Sequence, residues 1–167
     1  SNPNHWDGIL EKAKIEKMNW GIVGPEDYLA KGIVDYFQHE MNFPLLGPDK
    51  AAAQIESSKV FSKNIMLEAD IPTPAFKVFD DAKAANEFID ENPWNGEYVI
   101  KMDHLAQGKG VYLPQDHIEA KEIIFNLLEN PHSQHNDSQV IIEQKIKGNE
   151  LSVFALCNGK NWTLIGH

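Results

Sequence analysis

The sequence predicts a mixed α/β and α+β protein. Short apolar strands alternate with amphipathic helices over residues 6–48, and a second alternation follows the proline-containing segment Ile71-Pro72-Thr73-Pro74. The chain has 167 residues, of which 42% are hydrophobic and 24% are charged. This is enough apolar material for one sizeable core or two small ones, so we expect one or two folded units and not a disordered chain.

Charge and cysteine content exclude several classes of protein. The chain carries 25 acidic and 15 basic residues, a formal net charge of −10 that repels nucleic-acid phosphates. No apolar run reaches the roughly 18 to 20 residues of a membrane-spanning helix, and the N-terminus lacks the pattern of a secretory signal. The single cysteine, Cys157, can form no internal disulfide. We therefore expect a cytoplasmic protein with neither nucleic-acid nor membrane partners.

The first part of the chain is predicted to be part of a parallel α/β domain. Apolar periodicity predicts, in order, a helix over 6–17, a strand over 20–23, a helix over 27–40 and a strand over 43–46. Two strands alone do not make a stable sheet. Residues 1–48 are therefore expected to be a partial N-terminal domain, with the chain beginning partway through it.

The second part is predicted to be a compact α+β unit. After a helix over 49–69 and a linker over 71–74, the expected elements are a strand over 75–79, a helix over 82–91, a strand over 98–102, a glycine-rich loop over 105–110, a strand over 111–113 and a helix over 116–129. A polar loop over 131–138 precedes three strands, over 139–146, 150–157 and 161–165, the last two joined by an Asn158-Gly159 turn.

Two groups of residues are typical of a phosphate site. In the loop Gln107-Gly108-Lys109-Gly110 the glycines let the backbone approach a ligand, although an ordinary flexible hairpin has the same composition. The spacing fits neither a Walker A loop nor a Rossmann fingerprint. Lys101 ends an apolar strand, where an ammonium group meets an anion or snorkels to solvent. Lys59 and Lys63 are four residues apart, so they share one helix face or are simply solvated.

Two acids flank the turn between the strands that follow. Glu143 is predicted at the end of one strand and Glu150 at the start of the next. Each can accept hydrogen bonds from a purine amine or a ribose hydroxyl, or be an exposed acid of an edge strand.

The order of these features, a helix lysine, a strand lysine, a glycine loop and then Glu-turn-Glu-x-Ser, resembles the ATP-grasp nucleotide-binding fold. Shorter sequence words narrow the resemblance to the phosphoribosylamine–glycine ligase family, also called glycinamide ribonucleotide synthetase. It runs from about Trp20 to the end of the chain. The words are Ile22-Val23-Gly24-Pro25-Glu26, Gly32-Ile33-Val34-Asp35, Leu46-Gly47-Pro48, the run from Lys50 to Lys59, Ile71-Pro72-Thr73, and Val99-Ile100-Lys101 with Gly108-Lys109-Gly110-Val111.

The resemblance implies a ligase of purine biosynthesis. It would use ATP and Mg²⁺ to form a glycyl phosphate, which phosphoribosylamine attacks to give glycinamide ribonucleotide, ADP and phosphate. The implied domains are the partial substrate domain (1–48), a helical connection (49–70), the ATP-grasp lid subdomain (71–138) and the start of the central sheet (139–167).

The resemblance also implies roles for particular residues. Lys59 and Lys101 would face one crevice and hold the α- and β-phosphates. The implied assignments for the other residues are a lid over the phosphates for Gln107, Gly108, Lys109 and Gly110; the adenine amine for Glu143; the adenine ring for Gln144, Lys145 and Ile146; the ribose for Glu150; and phosphoribosylamine for Gly24, Pro25 and Glu26.

The chain departs from the family pattern in two motifs and in length. His104 and Gln107 replace small residues, and Gln144-Lys145 replaces the centre of the usual Glu-Glu-Phe-Leu hinge. The family is roughly twice this size or more, so the catalytic residues and magnesium ligands are expected beyond residue 167, and the chain alone is expected to lack ligase activity. Another ATP-grasp purine ligase and a non-catalytic nucleotide-binding or interaction module remain alternatives. Exposed sheet edges also suggest self-association.

Overall fold

The structure, a computed structural model, describes residues 6–92, 94, 96–105, 110–129 and 139–166. Within these ranges the strands form one four-stranded sheet and two two-stranded sheets, with helices between them. The predicted mixed α/β class is confirmed. None of the helices in these ranges is both long and apolar enough to cross a bilayer.

The N-terminal part alternates helices and strands as predicted. Its elements are α1 (Asp7–Ile15), β1 (Gly21–Ile22), α2 (Glu26–Ala30), α3 (Ile33–Met41) and β2 (Leu45–Leu46). Strands β1 and β2 pair in parallel. A small core unites this part, made by buried side chains of α1, α3 and the segment before β2: Trp6, Leu10, Ala13, Ile33, Phe37 and Phe43.

The single helix predicted over 27–40 is wrong, because Gly32 divides it into α2 and α3. Gly32 has φ 87°, a left-handed conformation that glycine adopts without steric cost. Its amide donates to the carbonyl of Leu29 at 2.9 Å, which ends α2. The periodic apolar side chains continue across the break, so their spacing did not reveal it.

The single helix predicted over 49–69 is also divided. It forms α4 (Gln54–Ser57) and α5 (Lys59–Glu68), separated by Ser58 in an extended conformation with φ −131° and ψ 114°. The Ser58 hydroxyl accepts a hydrogen bond from the Phe61 amide at 3.0 Å and so caps α5.

The second part is built on a four-stranded antiparallel sheet covered by two helices. The elements are β3 (Phe76–Phe79), α6 (Ala82–Glu91), β4 (Tyr98–Met102), β5 (Val111–Tyr112), α7 (His117–Leu128) and β6 (Val140–Gln144). The strand order is β3-β6-β4-β5, which places β6 inside the sheet. The helices and strands predicted over 75–129 are confirmed to within a residue or two at each end. Residues 106–109 of the predicted glycine-rich loop lie outside the described residues.

The two faces of this sheet have different environments. Ile100 and Ile142, which pair across β4 and β6, face the core formed with α6 and α7. Because side chains alternate along a strand, Lys101 and Glu143 point to the opposite face. Lys101 pairs with Ile141 across the ladder, and Glu143 lies two residues further along β6.

The chain closes with the predicted hairpin, β7 (Phe154–Cys157) and β8 (Trp162–Gly166). The predicted start of the first strand at residue 150 is wrong, because the ladder begins only at Phe154, opposite Gly166. Glu150 therefore lies in an exposed connection and not at the start of a strand. Several large apolar side chains of the hairpin are exposed: Phe154, Leu156, Trp162, Leu164 and Ile165.

The N-terminus of α6 provides a direct test of one local interaction. Asp81 Oδ2 accepts a hydrogen bond from the Ala84 amide at 2.8 Å. We expect Asp81→Ala to lower the free energy of unfolding by about 1 kcal/mol, because an amide of the first turn loses its acceptor. Urea denaturation measures the change, and Asp80→Ala removes the same charge one residue earlier, outside the cap position. Equal losses in the two variants would contradict this role of the cap.

Candidate functional site

A cavity of about 390 Å³ lies between α5 and the face of the four-stranded sheet that carries Lys101. Its lining combines charged, polar and apolar residues from α2, α4, α5, β4, β5 and the segment between β4 and β5: Glu26, Ile55, Glu56, Lys59, Ser62, Lys63, Met66, Lys101, His104, Leu105, Gly110 and Val111. The volume is within the range of small-molecule sites in proteins.

Three lysines from two elements line this cavity. Lys59 is the first residue of α5, and Lys63 follows one turn later on the same face. Lys101 reaches the same cavity from β4. The structure thus brings Lys59 and Lys101 to one crevice, although 42 positions separate them in the sequence.

Glu143 does not itself line the cavity, but it pairs with two of these lysines. Its carboxylate forms ion pairs with Lys63 Nζ, at 2.5 Å to Oε2, and with Lys101 Nζ through Oε1. Lys63 Nζ also donates to Thr73 Oγ1 at 2.7 Å and lies 5.2 Å from the centre of the Phe76 ring. Glu143 is only 4% exposed on the interior strand β6, so the alternative of an exposed edge-strand acid is wrong for this residue.

The ion pairs set the charge of Glu143. Burial by itself raises the pKa of the carboxyl group, but hydrogen bonds from Lys101 and Lys63, together with their positive charges, outweigh burial. The pKa of Glu143 is therefore held below its ordinary value. The group is ionised at neutral pH and fixes both ammonium groups against the sheet.

The start of α5 is attached to the end of β4 by two connections. Asp103, the residue after β4, accepts from the Val60 amide at 2.8 Å and from the Ser58 hydroxyl at 3.0 and 3.1 Å. The Lys59 ammonium group donates to the carbonyl of His104 at 3.0 Å. The helix that carries Lys59 is thereby joined to the strand that carries Lys101.

The Lys59 ammonium group is in an environment that favours an incoming anion. Burial lowers the pKa of Lys59, and Asp103 raises it in part, Lys101 lowers it further, and Glu56 raises it slightly. The net result is a pKa below the ordinary value for lysine. A polyanion placed between Lys59 and Lys101 would relieve the repulsion between these two cations.

The structure brings some of the other predicted site residues to the cavity and not others. Glu26 and Gly110 line it. Gly24 and Pro25 are exposed in the turn before α2 and line a separate, mostly apolar hollow of the N-terminal part. Gln107, Gly108 and Lys109 lie outside the described residues.

The predicted hinge residues are exposed at the end of β6. The amides of Gln144 and Lys145 donate to the carbonyls of Ala75 and Glu97, at 2.8 and 2.6 Å. A nucleotide contact by these two residues must therefore use their carbonyl groups or side chains. Ile146 and Glu150 are exposed. In the described part of the chain, none of these four residues lines the cavity.

The sequence did not reveal the partners of Ser58 and of Lys63. Serine before an apolar-periodic segment is a helix-start signal that was available over 57–61. The contact from Ser58 to Asp103 spans 45 positions, and no local pattern indicates it. The pairing of Lys63 with Glu143 likewise depends on the docking of α5 against the sheet.

No cluster of three or more His, Cys, Asp or Glu side chains in the described ranges is placed to hold a metal ion. The two acids that line the cavity, Glu26 and Glu56, come from separate elements, α2 and α4. This finding concerns sites built from protein side chains alone, whereas Mg²⁺ is usually held by one or two carboxylates together with phosphate oxygens.

Comparisons with known proteins agree along the whole chain. A family model described as phosphoribosylglycinamide synthetase, ATP-grasp (A) domain, matches residues 57–167, and one described as the N domain of the same synthetase matches residues 1–56. The phosphoribosylamine–glycine ligase of Caldanaerobacter subterraneus subsp. tengcongensis is 43% identical over 153 residues, which cover 92% of this chain and 36% of that protein. The chain thus spans about a third of the length of the curated relatives it matches.

Solved structures give the same result for the fold. The crystal structure of phosphoribosylamine–glycine ligase from Thermotoga maritima is similar with a TM-score of 0.68 and 31% identity, over 86% of this chain and 34% of that one. A D-alanine–D-alanine ligase from Bacillus anthracis, solved in complex with ATP, is similar with a TM-score of 0.58 over 96% of this chain and 54% of that one. Because the sequence identity is only 20%, this second structure shows similarity of fold and not of function.

Proposed function

Because the chain belongs to the phosphoribosylglycinamide synthetase family, we propose that it binds the polyphosphate of ATP in the cavity between α5 and β4. The same matches confirm the predicted ATP-grasp fold. The observation that carries the proposal is that Lys59, Lys63 and Lys101, from two separate elements, line one cavity. Several cations around one cavity suit a chain of phosphates, which carries negative charge along its whole length.

The proposed reaction joins glycine to phosphoribosylamine. The glycine carboxylate takes the γ-phosphoryl group of ATP, which gives glycyl phosphate and ADP. The amine of phosphoribosylamine then attacks the acyl carbon, the bond from carbon to the phosphate oxygen breaks, and phosphate leaves with glycinamide ribonucleotide as the product. We propose this complete series of reaction steps only for a protein as long as the relatives. The present chain would contribute the lysines that bind the nucleotide.

The cavity residues supply electrostatics and not a covalent nucleophile. Transfer of a phosphoryl group needs donors that hold the phosphates in place and neutralise charge as it moves. Lys59 and Lys101 serve this purpose on the α- and β-phosphates, and Gly110 leaves room for the backbone to approach them. Glu143 keeps Lys63 and Lys101 aimed at the cavity, and its contact with the adenine amine stays a proposal.

The remaining assignments are also proposals. Glu26, which lines the same cavity as Lys59, supports placing phosphoribosylamine near the start of α2. Mg²⁺ is proposed as the ion that accompanies ATP, and the protein is proposed to act in the cytoplasm. Self-association through exposed sheet edges also stays a proposal, and the boundaries 1–48, 49–70, 71–138 and 139–167 remain our proposed domains.

Titration of ATP into the wild-type chain and the Lys59→Met variant, followed by calorimetry, tests the proposal. We expect Lys59→Met to weaken ATP binding by about tenfold or more, because a charge-assisted hydrogen bond to phosphate contributes about 1.5 to 3 kcal/mol. Lys83→Met is the matched control. Lys83 is exposed on α6 and pairs with Glu87, so this variant loses the same charge outside the cavity.

Two results would contradict the proposal. Equal losses in Lys59→Met and Lys83→Met would mean that ATP senses only net charge, and absence of binding to the wild-type chain would remove the proposed site. A separate assay of ADP release, with glycine and phosphoribosylamine present, tests the ligase. We expect no turnover by the 167-residue chain alone, and turnover would overturn that part of the proposal.

A further inference from the structure

Asp103 is an unusual residue to find beside a phosphate site. Its carboxylate stands close enough to Lys59 to influence the charge of that ammonium group. A negative charge in this place repels an incoming polyphosphate and so works against the proposed function. The hydrogen bonds of Asp103 suggest a structural benefit that offsets this repulsion.

The backbone of Asp103 is fixed to the sheet. The residue directly follows β4, two positions after Lys101, and its amide donates to the carbonyl of Gln139 at 3.0 Å. The neighbouring Met102 amide donates to the carbonyl of Gly110 at 2.9 Å. The backbone of Asp103 is therefore held at a set position relative to that of Lys101.

The side chain of Asp103 accepts hydrogen bonds from the residues on either side of Lys59, Ser58 and Val60. Oδ1 accepts from the Val60 amide at 2.8 Å, and the Ser58 hydroxyl donates to Oδ1 and Oδ2 at 3.1 and 3.0 Å. Ser58 in turn accepts from the Phe61 amide at 3.0 Å, so two first-turn amides of the helix are satisfied together. A carboxylate at a helix N-terminus is also favoured by the helix dipole.

We propose that Asp103 is a positioning residue: it fixes the start of α5 to the end of β4 and thereby sets the position of the Lys59 ammonium group relative to that of Lys101 in the cavity. This inference rests on the proposed function, because it concerns the same cavity. The bond from Lys59 Nζ to the His104 carbonyl, at 3.0 Å, lies next to this attachment.

A positioning role and a purely electrostatic role predict opposite effects of removing the Asp103 side chain on polyphosphate binding. If Asp103 acted only as a nearby negative charge, its removal would strengthen polyphosphate binding. If it positions Lys59, Asp103→Ala weakens binding even though a repulsive charge has been removed. Asp103→Asn separates the two effects, because its amide oxygen can still accept from the Val60 amide while the charge is gone.

The test is a titration of inorganic tripolyphosphate into the folded 167-residue chain, followed by calorimetry. We expect Asp103→Ala to weaken binding by about fivefold and Ser58→Ala by about threefold, because each substitution removes part of the attachment that holds Lys59 in place. Asp103→Asn should bind within about twofold of the wild type, or more tightly. Thermal unfolding of each variant confirms that it is folded.

Asp116→Ala is the matched control. Asp116 Oδ1 accepts from the Glu119 amide at 2.9 Å at the start of α7, so this variant loses a cap of the same kind away from the cavity. It should lower thermal stability to a similar extent and leave tripolyphosphate binding unchanged.

The outcomes are distinguishable. Asp103→Ala binding as tightly as the wild type, or more tightly, overturns the inference and leaves the proposed function intact. Equal weakening by Asp116→Ala also overturns it, because binding would then follow stability alone. A wild-type chain that binds no tripolyphosphate removes the proposed function and this inference with it.

Discussion

Replacement of Ile89 by alanine is expected to lower the free energy of unfolding by about 2 to 5 kcal/mol. Ile89 lies on α6 and is fully buried among the side chains that join α6 and α7 to the sheet. Removing three carbon atoms there loses their burial and leaves a cavity that the close-packed neighbours fill only in part. Small proteins are stable by about 5 to 15 kcal/mol, so a change of this size is a large part of the total.

Ile118→Ala is the matched control for this substitution. Ile118 is also in a helix, α7, but its side chain is 73% exposed. Both variants exchange isoleucine for alanine within a helix, so the difference between them reports mainly the loss of burial. Urea denaturation with a common slope gives the two free energies. A change within about 0.5 kcal/mol is expected for Ile118→Ala, and equal losses would mean that the α6 core does not form as described.

The core around Ile89 also shows what the sequence could predict. Ala82, Ala85 and Ile89 recur at helical spacing and lie on one buried face of α6. The helix bounds, 82–91, agree with the prediction because Asp81 provides a local start signal. Information of this kind lies within a few residues of where it acts.

The two divided helices show where local patterns fail. At Gly32 the apolar spacing continues across the break, and glycine inside a periodic segment signals a break only weakly. At Ser58 the extended conformation is stabilised by Asp103, which is 45 positions away. Ser58 and Asp103 are visible in the sequence, but no local pattern indicates that they are in contact.

The same distinction holds for the candidate site. The resemblance brought Lys59, Lys101 and Glu143 together as site residues, and the structure places the two lysines around one cavity and Glu143 in an ion pair with Lys101. It did not predict that Glu143 would be buried in ion pairs with Lys63 and Lys101. That arrangement follows from β6 lying inside the sheet, which is a property of strand order and not of sequence spacing.

Replacement of Glu143 by glutamine is expected to lower the free energy of unfolding by about 3 to 5 kcal/mol at neutral pH. The substitution keeps the shape of the side chain but leaves Lys63 and Lys101 without their shared negative partner. The Lys63 side chain is only 11% exposed, so its charge cannot be solvated in place. Glu122→Gln, at an exposed position of α7, removes the same charge and should have little effect.

The effect of Glu143→Gln should depend on pH in a defined direction. The pKa of Glu143 in the folded chain is lowered, because hydrogen bonds from Lys101 and Lys63 outweigh the effect of burial, which alone would raise it. A carboxyl group whose folded pKa is depressed stabilises the fold above its unfolded pKa, and this stability is lost as pH falls through the folded value. The difference between wild type and variant should thus be full at neutral pH and shrink in acid, below the ordinary range for glutamate.

Urea denaturation of both proteins from about pH 7 down to about pH 3 measures this dependence. Adding Lys63→Met to the Glu143→Gln variant should recover part of the lost stability, because one of the two unpaired charges is removed from the interior. If the effect came only from lost packing, Lys63→Met would lower the stability of the Glu143→Gln variant further. The difference in stability between wild type and Glu143→Gln would then also stay constant with pH. The pH series and the double variant therefore decide independently whether Glu143 stabilises the chain by pairing with two cations of the cavity.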